Sequence, residues 1–250
     1  MLAANVCAGN YLVDRGQPVL FRVHDVPAPE KITMLRAFLA ELGLNLAGGD
    51  KPRPKDYAEL LQKIRPRPDF ILLQTILLRS LKQAVYSPDN AGHFGLAFEA
   101  YVHFTSPIRR YPDLIVHRAI KAALANKAYA EADWEALGRH TSETERRADD
   151  ASRDVENWLK CYYMRDHVGG TFSGSITGVT PFGLFVTLDN YFVDGLVHIS
   201  ELGRDYFQFD AARHVLFGER TGKRFRLADR MTVKLVRVDL ESRKIDFVPA

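Results

Sequence analysis

Residues 90–118 read NAGHFGLAFEAYVHFTSPIRRYPDLIVHR. The stretch leaves an Asn-Ala-Gly-His turn and passes through an apolar, aromatic segment of strand-like texture to Thr105-Ser106-Pro107. Arg109 and Arg110 follow. Tyr111, Pro112 and Asp113 then open a predicted helix. Two guanidinium groups beside a hydroxyl pair, where a loop enters a helix, suit a phosphate. Guanidinium presents a flat, two-pronged donor face. A helix N-terminus adds oriented N–H groups and the positive end of its dipole. The residues alone leave a second reading open, in which Pro107 and Pro112 merely break structure and the arginines are solvated.

Outward from this stretch, the chain has 250 residues, 46% of them hydrophobic and 26% charged. That suffices for one large or two small domains. A formal net charge of +3 is compatible with nucleic acid without demonstrating it. Cys7 and Cys161 lack the spacing of metal ligands, which argues against a zinc site built on paired cysteines and for a reducing compartment. No apolar run approaches the roughly 18 residues that span a bilayer. No basic segment followed by an apolar core opens the chain, and a cytoplasmic setting with no membrane partner is expected.

Residues 1–13 predict an uncapped helix. Residues 18–23 predict a short strand. Ile32, Leu35, Leu39 and Leu42 give residues 30–42 the stripe of an amphipathic helix, with Gly43 as its C-terminal stop. Asp56 is expected to cap a short helix carrying Tyr57, Leu60 and Ile64. Residues 69–86 predict a core helix that is apolar on most faces. Another helix runs on to about residue 125. Residues 131–168 give the longest helical pattern. Trp134, Leu137, Ala148, Ala151, Val155, Trp158, Leu159 and Tyr162 form its apolar side, and a charged face opposes them. Such a charge run is usually a solvated face of ion pairs three or four residues apart; Arg146-Arg147 alternatively reach phosphates. At Gly169-Gly170 the texture changes to period-two alternation, marking a boundary near residue 169. Strands are predicted over 171–179, 184–188, 191–199, 231–240 and 245–248, with 200–224 undefined. Five short strands favour a small closed barrel.

His93-Phe94-Gly95-Leu96, then Tyr101-Val102-His103-Phe104-Thr105-Ser106-Pro107-Ile108-Arg109-Arg110-Tyr111, then Asp113 and His117, resemble the signature of the RNB exoribonucleases, the family of ribonuclease II and ribonuclease R. GSITGVTPFGLFVTL, DGLVHISEL and VKLVRVDLESRKI resemble the S1 domain, an RNA-binding OB-fold barrel. The resemblance implies an α+β chain. Residues 1–168 would be the mostly helical C-terminal portion of an RNB catalytic domain, and residues 169–250 an all-β five-stranded OB-fold (S1) barrel. It also makes Met1 an expected internal residue of a longer protein.

The implied activity is 3′-to-5′ exoribonuclease action, releasing nucleoside 5′-monophosphates processively from single-stranded RNA by a monomer. Arg109 matches the family arginine at the scissile phosphate and is the expected catalytic residue, where negative charge builds in the transition state. Ser106 and Arg110 are expected either to contact the RNA backbone or to support the groups that do. Phe182, Phe185, His198, Asp239 and Arg243, with Lys244 beside them, match the RNA face of S1 domains. Exposed rings offer bases a stacking surface worth roughly 1–3 kcal/mol each, although either phenylalanine taken alone reads equally as core. His93, His103 and His117 are expected to be structural. The family uses Mg2+ held by clustered aspartates, since paired hard cations activate water and stabilise the leaving oxygen. That cluster has no counterpart in this chain. Asp149, Asp150 and Asp154 do not match it, so no metal ligand is assigned and the chain alone is expected to be inactive. The alternative from another class is a non-catalytic adaptor that binds single-stranded RNA through its barrel.

Overall fold

The computed structural model describes residues 1–130, 133–210 and 213–250. Its chain divides into two compact units, residues 1–66 with 74–148, and residues 67–73 with 149–250. No described helix is long and apolar enough to cross a membrane.

The first unit holds helices α1 (Leu2–Asp14), α2 (Pro29–Glu41), α3 (Pro54–Ile64) and α5 (Tyr111–Leu124), and the first part of α6 (Trp134–Met164). A two-stranded antiparallel sheet joins β1 (Phe21–Val23) to β2 (Val85–Ser87). Its core gathers Ala8 and Leu12 of α1, Phe21 and Val23 of β1, and Val116 and Ala119 of α5 around Val102. Leu20, Tyr86 and Ile115 form a second cluster, against which Trp134 and Leu137 of α6 pack. Of the two helix-end signals expected, one holds and one differs. Gly43 does stop α2, in the left-handed region at φ +66. Asp56, however, is not the cap of α3. It stands at the third helical position, where its carboxylate accepts the backbone N–H of the capping Arg53 at 2.6 Å.

The core helix expected over 69–86 is α4 (Phe70–Ser80), and it stops early. The Ser80 hydroxyl donates to Leu77 O at 2.6 Å. Val85 and Tyr86, β-branched and aromatic, instead pair with Val23 and Arg22 in β2. Ile71 and Leu78 of α4 are exposed, so an all-round apolar texture did not mean all-round burial. The strand-like texture of the signature also misleads. Phe94–Leu96 is a single 3-10 turn, and residues 93–104 contribute isolated bridges rather than a strand. Residue 131, the expected start of the longest helix, lies outside the described residues.

The second unit is organised by a barrel closed in the order β10-β5-β4-β3-β9: β3 (Thr171–Thr180), β4 (Gly183–Leu188), β5 (Asp194–His198), β9 (Arg230–Asp239) and β10 (Lys244–Pro249). Period-two alternation turns Ile176, Leu184, Val186, Val197, Val233, Leu235 and Phe247 inward, all buried. The undefined stretch resolves into β6 (Phe207–Asp210), β7 (Val215–Gly218) and β8 (Arg224–Arg226), a separate three-stranded sheet between β5 and β9 in sequence. The third barrel strand begins at Asp194, not at Tyr191.

Phe247 fills the barrel because Gly195 opposite it has no side chain. A Cβ on Gly195 would stand 2.7 Å from a ring carbon of Phe247. Gly195→Ala is therefore expected to destabilise the barrel by roughly 1–3 kcal/mol, as overpacking does. In urea unfolding this appears as a lower midpoint at unchanged slope, and adding Phe247→Leu is expected to recover part of the loss.

Candidate functional site

The signature arginines lie in a turn whose geometry is set by one carboxylate. Arg109 and Arg110 donate their backbone N–H groups to Ser106 O at 3.3 and 3.1 Å. Arg110 then caps α5, Tyr111 is its first residue, and Pro112 follows where no N–H is needed. Asp113, completely buried, sits in the first helical turn. Its Oδ1 accepts the Ser106 backbone N–H at 2.7 Å and the Arg110 Nη2 at 2.8 Å. Arg110 is thus half-buried and committed to Asp113. Ser106 takes part through its backbone. Arg109 is exposed, and among the described residues its guanidinium has no hydrogen bond or ion pair. The arginine pair divides into one holder and one free group, standing at the N-terminal end of α5.

Histidines and tyrosines pack behind this turn. His117 stacks on Phe104, with ring centroids 4.2 Å apart, and donates from Nε2 to Phe104 O at 3.0 Å. Phe104 N–H donates to Asn5, whose amide donates to the Tyr101 hydroxyl. His103 Nδ1 meets the Tyr86 hydroxyl at 2.8 Å. Arg22 lies over the Tyr86 ring and pairs with Glu145 at 2.6 Å. Burial, then the Arg110 and Arg22 charges, brings His103 down to about 4. Burial, then neighbouring His24, does the same for His93. Burial pushes Tyr86 up to about 12. His24 accepts the Gly95 N–H on Nδ1, so Nε2 carries the proton given to Lys82 O. These rings act as packing and hydrogen-bonding members.

On the barrel, Phe182 and Phe185 are 49% and 36% exposed, and their rings meet edge to face at 6.0 Å. They are surface groups, not core. His198 lies opposite Gly183, so these three cluster at one end of β5. The Nδ1 of His198 engages Ser200. β10 runs parallel to β5 with Asp246 beside Leu196, which places Lys244 and Arg243 toward the Asp194 end. The six residues therefore form two groups separated by the length of β5. Asp239 accepts the Glu241 and Ser242 N–H groups at 3.0 Å and pairs with Arg237. These bonds hold its carboxyl below the usual range. Arg243, in the left-handed region at φ +55, pairs with Asp154 of α6 at 3.4 Å. Lys244 is exposed.

The charged helix face contains the densest aspartates, Asp149, Asp150 and Asp154, all exposed. Asp154 is engaged by Arg243. Among the described residues no group of three or more His, Cys, Asp or Glu is placed to hold a metal ion. The donor set present does not fit the magnesium centre that the family resemblance implies. Further along α6, the expected apolar side faces solvent: Val155, Trp158, Leu159 and Tyr162 are all exposed. Sequence periodicity had no means of showing that.

Acid stability depends on the two half-buried histidines, His93 and His103. Their pKa in the fold lies below the ordinary value of 6.5, so the unfolded chain binds more protons between 6.5 and about 4. Stability is fully present above 6.5 and is lost as pH falls through that window. Melting temperature should fall across it, and His103→Gln should make the fall shallower. Imidazole resonances of His93 and His103 titrating near 6.5 would contradict this.

The RNB domain family model matches residues 1–126 and the S1 RNA binding domain model matches residues 165–248. Ribonuclease R of Escherichia coli (strain K12) is 52% identical over 260 residues, covering 99% of this chain and 32% of that protein. Ribonuclease R of Vibrio cholerae is 49% identical, again over 99% of this chain and 32% of the relative. The chain spans about a third of the length of these curated relatives. Among solved structures, the apo form of Mycoplasma genitalium RNase R superposes with a TM-score of 0.92 at 28% identity, covering 100% of this chain and 40% of that one. The same enzyme in complex with ribose methylated single-stranded RNA gives a TM-score of 0.91 at 27% identity and the same coverage. With both domain models matched, the chain belongs to the RNB exoribonuclease family, carrying RNB-domain sequence followed by an S1 RNA-binding domain.

Proposed function

We propose that this chain carries the RNA-holding portion of a ribonuclease R-like enzyme, which shortens single-stranded RNA from its 3′ end, processively, to nucleoside 5′-monophosphates. The observation that carries the reading is the guanidinium of Arg109, exposed and without a side-chain partner among the described residues. Its neighbour is locked by Asp113, and the lock presents Arg109 beside the N-terminus of α5. A phosphate there gains a charge-assisted, two-pronged donor and the helix dipole together. Support also comes from the exposed phenylalanine pair of the barrel and from relatives named ribonuclease R. The two free cysteines accord with a reducing cytoplasm. A monomer is the proposed state.

Metal chemistry is not assigned to the described residues. When bound in such an enzyme, magnesium ions would activate water and neutralise charge on the leaving oxygen. This chain's own residues bind and orient the RNA strand. The expected result is that the purified chain, given a labelled oligoribonucleotide and magnesium, binds it without shortening it. Stepwise 3′ shortening by this chain would show that it does hold a working metal site.

Arg109→Ala should weaken binding and reduce the magnitude of the salt slope by about 1, as loss of one phosphate contact does. Phe185→Ala should cost roughly 1–3 kcal/mol of affinity at unchanged slope, because stacking releases no counterion. Both are read by anisotropy titrations at several salt concentrations. Parallel losses of melting temperature and binding in Phe185→Ala would make that ring a packing group instead.

A further inference from the structure

We propose that the exposed face formed by Trp158 and Tyr162 of α6, with Arg165 just beyond the helix end, is a second base-stacking surface for single-stranded RNA, additional to the phenylalanine pair of the barrel. The proposal rests on the reading of the second unit as an RNA binder. Trp158 and Tyr162 are one helical turn apart and their rings lie nearly parallel, with centroids 5.3 Å apart and planes 18° apart. They are 43% and 49% exposed. The Arg165 guanidinium, next along the same side, is 4.8 Å from the Tyr162 ring centroid; its Nε donates to Asp166 Oδ1 at 3.2 Å, which leaves its terminal N–H groups as the donors for a phosphate. The adjoining side of this helical segment does bury its apolar groups: Cys161 and Met164 are almost wholly enclosed. Core packing therefore does not account for the aromatic pair.

The chemistry of the face and its position select RNA as the occupant. An aromatic pair crowned by guanidinium offers flat surfaces to bases and a donor to phosphate, the combination that non-specific single-strand binders use. Asp154 lies one turn before Trp158 on the same side of α6, and it pairs with Arg243 of the turn between β9 and β10. The face thus starts at the basic end of the barrel, beside Arg243 and Lys244. A strand crossing the barrel toward that turn meets Trp158 and then Tyr162.

The test uses the whole chain and a labelled oligouridylate. Trp158→Ala/Tyr162→Ala is expected to weaken binding about tenfold, the scale of one lost base stack. In a Trp134→Phe background, which leaves Trp158 as the sole indole, RNA should quench the fluorescence with the midpoint seen by anisotropy. Circular dichroism checks that the double variant is folded, and the quenching result stands independently if it is not. If the wild type binds and Phe185→Ala weakens binding, but the double variant binds normally and Trp158 is not quenched, the helix face is not an RNA surface while the barrel reading survives. If the wild type does not bind RNA, both readings fall. If sedimentation shows self-association that the double variant abolishes at unchanged RNA affinity, the face receives a second copy of the chain and the proposal is overturned.

Discussion

The buried carboxylate of Asp113 decides what the signature can do. A carboxylate removed from water costs several kcal/mol unless it is paired and hydrogen-bonded. Here one oxygen takes a backbone N–H and a guanidinium N–H, and the positive end of α5 adds to both. The same two bonds shape the Ser106–Arg110 turn. They leave two adjacent arginines in unlike states: Arg110 tied down and half-buried, Arg109 exposed and without a side-chain partner among the described residues. Removing the carboxylate would free the turn and leave the buried side of Arg110 uncompensated. A single buried interaction thus fixes the direction of the chain and the availability of the charge.

The barrel solves a comparable problem with packing. Alternation along β4 sends Leu184 and Val186 inward and leaves Phe185 outside between them. The interior is filled by Phe247 over Gly195, which relieves any need for Phe185 to serve as core. An aromatic ring on the surface is then available for a base.

How much of this was legible in the sequence depended on the kind of signal. The signature was legible because its residue types are mixed and its order is long; its arginines, prolines and histidines have no common reason to recur by chance. The barrel was legible from alternation and turns. The end of α4 was not, because an apolar run does not tell helix from strand at Val85 and Tyr86. β6, β7 and β8 are three or four residues long, too short to show a period. For α6 the period correctly found a stripe at Val155, Trp158, Leu159 and Tyr162, but a stripe says which side chains share a face and nothing about what covers them. The division of labour between Arg109 and Arg110 had a signal that went unread: an aspartate three residues after Arg110, in the first turn of a helix, is within reach of that arginine and not needed by the other.

The same distinction between engaged and unengaged groups orders the barrel residues. Asp239 spends its oxygens on two backbone N–H groups and Arg237, so its contribution to an RNA face is to hold the turn that carries Arg243. To bind RNA as proposed, Arg243 would exchange Asp154 for a phosphate, and the net gain would be the difference between two ionic contacts in a largely solvated setting, where each is worth little. Phe182 and Phe185 meet chiefly one another, edge to face, and their outward surfaces lose nothing but water when a base arrives. On the proposed reading, the balance of RNA affinity in this unit therefore falls on stacking, with the charges setting direction and salt dependence. That is the physical character of a surface that holds a strand without reading its sequence.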